Sequence, residues 1–222
     1  MSSKYLLLFL STVLLVQSSF GKSLTTTVES DSSEVPDTPS VKILIYVVTE
    51  FSELADSTLN TGKKLFQDVI ADISAQDNKN EQVTAKLDEY SKLVTKIEKL
   101  QTTNSAESSV ESFTAKFEFM GELCDRLDKL DVSSNKKPTS VEKLFYESLK
   151  KNGVSNLEQQ FEDKFETFGK GFNETADRVL NSVTAEEWPE KTKMEVLLKN
   201  FNTEKDADKK IELLEKFLEL LK

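Results

Sequence analysis

The sequence predicts an all-α protein, an elongated bundle of six or seven amphipathic helices. Three observations predict it. Beyond residue 40, apolar residues recur at alternating spacings of three and four, the period of a helix face. Gly and Pro number only six and four in 222 residues, too few for the many turns of a β-sandwich. Helix-start signals, a Ser or Thr with Glu three residues later, stand at Ser108, Thr139, Ser155 and Thr184.

The N-terminus has the layout of a secretory signal. Lys4 supplies the positive charge, Tyr5 to Val16 is a short apolar run, and Ser19-Phe20-Gly21 sets small residues around a large one. The run is shorter than the roughly 20 residues that span a bilayer. The expectation is a signal peptide over 1–21, cleaved after Gly21, and a secreted, extracellular product with no transmembrane segment. Residues 22–40 are Ser/Thr-rich and acidic, with Pro36 and Pro39, and have little to bury; they read as a disordered leader. Residues 41–222 then form a single all-helical domain with a hinge at 131–138.

Val41 to Val48 (VKILIYVV) is the most apolar run after the signal, and its β-branched residues would suit a strand. No partner strand follows, and an unpaired strand leaves its backbone groups unsatisfied, so the run is assigned to a helix. Its stripe continues through Phe51, Ala55, Phe66, Val69 and Ile73, with Asn60-Thr61-Gly62 as a point of kinking or division. After a turn at Asp77–Asn80, Val83, Leu87, Tyr90, Val94 and Ile97 make a heptad-like, coiled-coil seam. Following a polar break at Gln101–Ser105, Ser108 with Glu111 opens a helix carrying Val110, Phe113, Phe117, Met120, Cys124 and Leu127. Glu122–Arg126 and Asp125–Lys129 pair along its outer face.

Thr139 with Glu142 opens a short helix that stops at Asn152-Gly153. Ser155 with Glu158 opens the most heavily loaded one, whose stripe is Leu157, Phe161, Phe165, Phe168, Phe172, Ala176, Val179 and Val183. Asp163, Glu166, Lys170, Glu174 and Asp177 fall on its far side. Gly169 and Gly171 lie inside it, and the unbroken phase of the stripe favours one bent helix over two. Thr184 with Glu187 opens a helix from near Pro189 to Asn200. The last helix begins at Thr203 or Glu204, with Ala207, Ile211, Leu214, Leu218 and Leu221 as a second heptad-like seam.

Composition excludes several chemistries. The chain has no His, which removes imidazole-dependent triads, imidazole-ligated zinc and an imidazole pH switch. Its single Cys124 cannot close a disulfide within the chain; it reads as a buried thiol, with an intermolecular disulfide as the alternative. Removing Lys4 leaves 28 basic against 39 acidic residues, a net −11, which argues against nucleic acid as a partner. Gly21-Lys22-Ser23 lacks the first Gly of a phosphate loop, and Lys79 spoils Asp77–Asn80 as a calcium loop. Glu186 and Glu187 beside Trp188, and Glu118 with Glu122, are the carboxylate pairs nearest to acid–base spacing; such pairs are ordinarily solvated faces or caps. Neither an enzyme nor a cofactor is expected.

In composition and periodicity over residues 22–222, the chain resembles the exchangeable apolipoproteins of invertebrate blood. The likeness carries no motif and transfers no residue role. The expected function is binding of an apolar small molecule or lipid, with Phe161, Phe165, Phe168 and Phe172 lining a pocket or opening toward a lipid surface. The alternative is a structural or interaction protein that uses the two heptad-like seams for self-association or to grip a protein partner. Asn173-Glu174-Thr175 is the one glycosylation sequon, and Asn173 sits about 100° round from the centre of the Phe stripe, toward solvent.

Overall fold

The computed structural model describes residues 38–77, 80–102, 110–130 and 137–221. These form seven helices with no strand among the described residues: α1 Pro39–Ser74, α2 Glu81–Thr102, α3 Val110–Leu130, α4 Ser140–Lys151, α5 Val154–Asn181, α6 Lys191–Thr203 and α7 Ala207–Glu219. The signal segment, the leader up to residue 37, the Ser108 cap and most of the 131–138 loop lie outside the described residues.

α1 organises the bundle. It is 36 residues long, which at 1.5 Å per residue is about 54 Å. Its buried side runs from Val41 and Ile43 through Phe51, Leu59 and Phe66 to Ile73, and it packs against α2, α3, α4 and α5. α6 and α7 pair with each other, and α6 also lies against α5. Buried side chains from all seven helices, among them Leu44, Ile97, Leu123, Phe145, Phe172, Leu198 and Leu214, join in one apolar core. No helix among the described residues is long and apolar enough to cross a membrane.

The helix ends follow local chemistry, and four differ from the sequence expectation. α1 starts at Pro39 rather than Val41, because the Thr38 hydroxyl accepts the Val41 N–H (3.4 Å) and proline's fixed φ suits the first helical position. The Thr139 capping box forms as expected, with both reciprocal hydrogen bonds. Ser155 does not cap α5. Gly153, at φ 92°, reverses the chain directly after α4, and its own carbonyl accepts the Asn156 N–H at 2.9 Å, so the helix has begun before Ser155. The Thr184–Glu187 box forms too, yet it closes only an isolated turn; α6 begins two residues beyond Pro189 and runs on to Thr203. The last helix starts at Ala207 instead of Thr203 or Glu204. Asp206 caps it by accepting the Lys209 N–H (3.1 Å), and the Glu204 carboxylate takes the Lys205 and Asp206 N–H groups.

Asn60-Thr61-Gly62 does not divide its helix, the Phe-rich helix is single as expected, and two of their glycines serve as packing sites. α1 runs without a break through Asn60-Thr61-Gly62, and a Cβ at Gly62 would stand 2.9 Å from Leu123 Cδ2 of α3. α5 is likewise one helix through Gly169 and Gly171. Gly171 admits the Tyr46 phenol, whose hydroxyl donates to the Phe168 carbonyl at 3.3 Å and whose oxygen would lie 2.1 Å from an added Cβ. Tyr46 is partly buried and stacked on Phe168, and moving its phenol aside would break the hydrogen bond to the Phe168 carbonyl. Gly171→Ala should therefore lose about 1–3 kcal/mol to overpacking, more than the roughly 1 kcal/mol gained in helix propensity. Adding Tyr46→Phe, which removes the clashing oxygen, should recover most of the loss; urea midpoints of the single and double variants check this.

Candidate functional site

α5 turns Phe161, Phe165, Phe168 and Phe172 inward, and all four are buried, with Phe165 the most open at 7%. They form a ladder with centroid spacings of 6.4, 5.8 and 5.9 Å. Neighbouring rings occupy the space around them. Phe51 of α1 stacks on Phe168 at 4.4 Å, and Phe201 of α6 and Phe217 of α7 meet Phe172 edge-on at 5.4 and 5.1 Å. These contacts make the stripe the seam between α5 and its neighbours. The far-side residues Asp163, Glu166, Lys170, Glu174 and Asp177 are exposed, as the period requires.

The two heptad-like seams contribute to the core within the chain. Val83, Tyr90, Val94 and Ile97 of α2, and Ile211, Leu214, Leu218 and Leu221 at the C-terminal end, all belong to the core. Leu87 is partly buried against it. Among the described residues, Ile45 and Val196 are the large apolar side chains left exposed.

At one end of α1, Pro39 and Ser40 face Val183, Glu187 and Trp188 of the α5–α6 turn across an open groove of about 360 Å³. The stripe's expected last member, Val183, falls two residues past the end of α5 and lines this groove instead of the core. Trp188, the one Trp of the chain, packs its inner side on the core. The Glu187 carboxyl is held below its ordinary range by the Thr184 backbone N–H and hydroxyl, so it stays ionised at the groove's rim. The walls mix the apolar side chains of Pro39, Val183 and Trp188 with the Ser40 hydroxyl and the Glu187 carboxylate, and the Lys191 ammonium sits beside them, donating to the Val183 carbonyl at 2.8 Å. Sequence reasoning missed the groove because Pro39 and Trp188 are 149 positions apart; the signal present was a lone Trp in a polar turn next to Pro189.

The carboxylate pairs have other partners. Glu122 lies under Lys96 (2.6 Å) and Arg126 (2.9 Å), whose hydrogen bonds lower its pKa, and Arg126 reaches on to Glu89 of α2 at 2.5 Å. Glu118 is exposed. The side chains of Cys124, Phe113, Asp125 and Lys129 lie outside the described residues. No group of three or more carboxylate or thiol side chains that could hold a metal occurs among the described residues.

Lys116 and the Tyr90 hydroxyl are among the buried polar groups that were not anticipated. Lys116 of α3, 3% exposed, reaches Asp56 of α1 at 2.5 Å. Tyr90 is 1% exposed between the Phe66 and Phe145 rings, and its hydroxyl has no hydrogen-bond partner among the described residues. Burial pushes the Tyr90 phenol well up, aided by Glu89, and burial with Glu50 and Glu174 pushes Tyr46 up to about 12. The unfolded chain gives up these protons near pH 10. Above that pH the folded state binds more protons than the unfolded one, so stability falls as pH climbs from about 10 toward 12. Phenolate absorbance and loss of ellipticity should therefore rise together in that window. Tyr90→Phe should remove one late phenol and gain about 1 kcal/mol, since an unsatisfied buried hydroxyl is lost.

No protein-family model, curated protein or solved structure matches the chain.

Proposed function

We propose that the chain is a secreted, acidic helical-bundle protein that binds a small apolar molecule, taken up in the groove between Pro39, Val183 and Trp188. The observation that carries this reading is that the indole, a proline and a valine line one open recess, while the four Phe rings of α5 are buried against other rings. The volume lies at the lower end of the range for small-molecule sites, about 300–1,000 Å³. The Glu187 carboxylate and the Lys191 ammonium put both signs of charge at the rim, so the apolar wall points to a neutral ligand.

The same bookkeeping sets a small molecule in the groove above a lipid surface reached by opening α5. Exposing four Phe side chains costs about 1.5–3 kcal/mol each, roughly 6–12 in total, which approaches the whole stability of a domain, about 5–15 kcal/mol.

Trp188 reports directly on the groove. Titrating the protein with N-phenyl-1-naphthylamine, a neutral apolar fluorophore, should give saturable energy transfer from Trp188. Val183→Glu, placed beyond the end of α5, should abolish the transfer with the thermal midpoint little changed. Absence of saturation at micromolar protein would sink the reading. Binding that survives Val183→Glu would move the site away from the groove.

A further inference from the structure

We infer that Asn173 carries an N-linked glycan which the folded α5–α6 contact is built to accommodate; the inference rests on the export proposed above and concerns a different face of the molecule. Asn173-Glu174-Thr175 lies inside α5, one residue on from buried Phe172. The Asn173 carbonyl oxygen Oδ1 accepts a hydrogen bond from Asn202 Nδ2 of α6. Its amide nitrogen Nδ2 donates to no described residue, and it is not among the buried unsatisfied atoms, so it meets water. The Thr175 hydroxyl is in the same position.

This division of the side chain is what an N-linked sugar requires. In the transfer, Asn173 Nδ2 attacks the anomeric carbon of an oligosaccharide carried on an isoprenoid diphosphate. The C–N bond forms as the C–O bond to the diphosphate breaks, the diphosphate leaves with the electron pair, and the amide gives up one proton. The product keeps its amide carbonyl, so Oδ1 can still accept from Asn202. Transfer precedes closure of α5, since a helical sequon is not presented to the transferase. The finished helix must then hold the sugar outward, on the side of exposed Glu174 and Asp177, and an Nδ2 open to water permits that.

The test expresses the full chain through the secretory route of a eukaryotic cell, once with its own N-terminus and once behind an unrelated signal sequence. Secreted wild type and Thr175→Ser should each shift to lower mass on amidase treatment, with deamidation read at position 173. Thr175→Ala and Asn173→Gln should be secreted at the lower mass and show no shift. Secreted wild type of unmodified mass, from either version, would overturn the inference. Export behind the foreign signal alone would overturn the export reading and with it the glycan on the native chain, whereas a mass shift in that version would still show that the folded α5–α6 contact accommodates one.

Discussion

Phe168→Ala is expected to lower the unfolding free energy by about 3–5 kcal/mol, the cost of deleting a buried aromatic ring that its neighbours cannot replace. Phe168 is 2% exposed and lies at the centre of the ladder. Phe51 stacks on it at 4.4 Å, Tyr46 at 6.2 Å, and Phe165 and Phe172 flank it at 5.8 and 5.9 Å. It therefore joins α1 to α5, the packing on which the bundle is built. Phe51→Ala should cost a similar amount, and the double variant less than the sum, because the two truncations empty one shared space. Guanidinium titrations followed by both fluorescence and ellipticity measure these losses and test two-state behaviour at once. A loss near 1 kcal/mol for Phe168→Ala would mean that the rings are not close-packed, and a ligand cavity along α5 would return to consideration.

The architecture was legible because period-3.6 patterning reads burial directly. Every stripe residue named from Val83 to Ile97 and from Leu157 to Val179 is buried or packed against the core. Helix ends were less legible where two signals competed. At 153–155 a left-handed glycine overrode a Ser-x-x-Glu box, and at 184–187 a good box capped a turn that Pro189 did not extend. The packing role of the glycines was hidden for a different reason. Sequence shows the missing side chain but not what fills the space, and at Gly62 and Gly171 the filling groups, Leu123 and Tyr46, come from another helix. The candidate site was the least legible part. A stripe of four Phe residues looks alike whether it lines a pocket or closes a seam, and the groove depends on residues from opposite ends of the described chain. Lys116 could have been found, since it falls in phase with Met120 and Leu127, which face the core from α3.

Asp56→Ala is the second large effect, and its size rests on an asymmetry between the two partners. The Lys116 side chain is 4% exposed, while that of Asp56 is 41% exposed. Removing Asp56 strands an ammonium group inside the α1–α3 contact, and Asp56 is the anion it reaches among the described residues. Breaking a fully buried pair in this way costs about 3–5 kcal/mol. Water reaches Asp56, so the expected loss is smaller, about 1–3 kcal/mol, the range for a buried polar group left unsatisfied. Removing Lys116 instead should behave differently. Lys116→Met keeps an unbranched chain of similar volume, needs no counter-charge, and releases Asp56 to solvent it already touches, so stability should hold or rise. The double variant Asp56→Ala, Lys116→Met should then recover what Asp56→Ala loses. If Lys116→Met proves as damaging as Asp56→Ala, the pair contributes net attraction and α3 is held on α1 by charge. If only Asp56→Ala is damaging, α3 is held by Phe117, Met120 and Leu123, and the ion pair serves to make a lysine tolerable in an apolar seam.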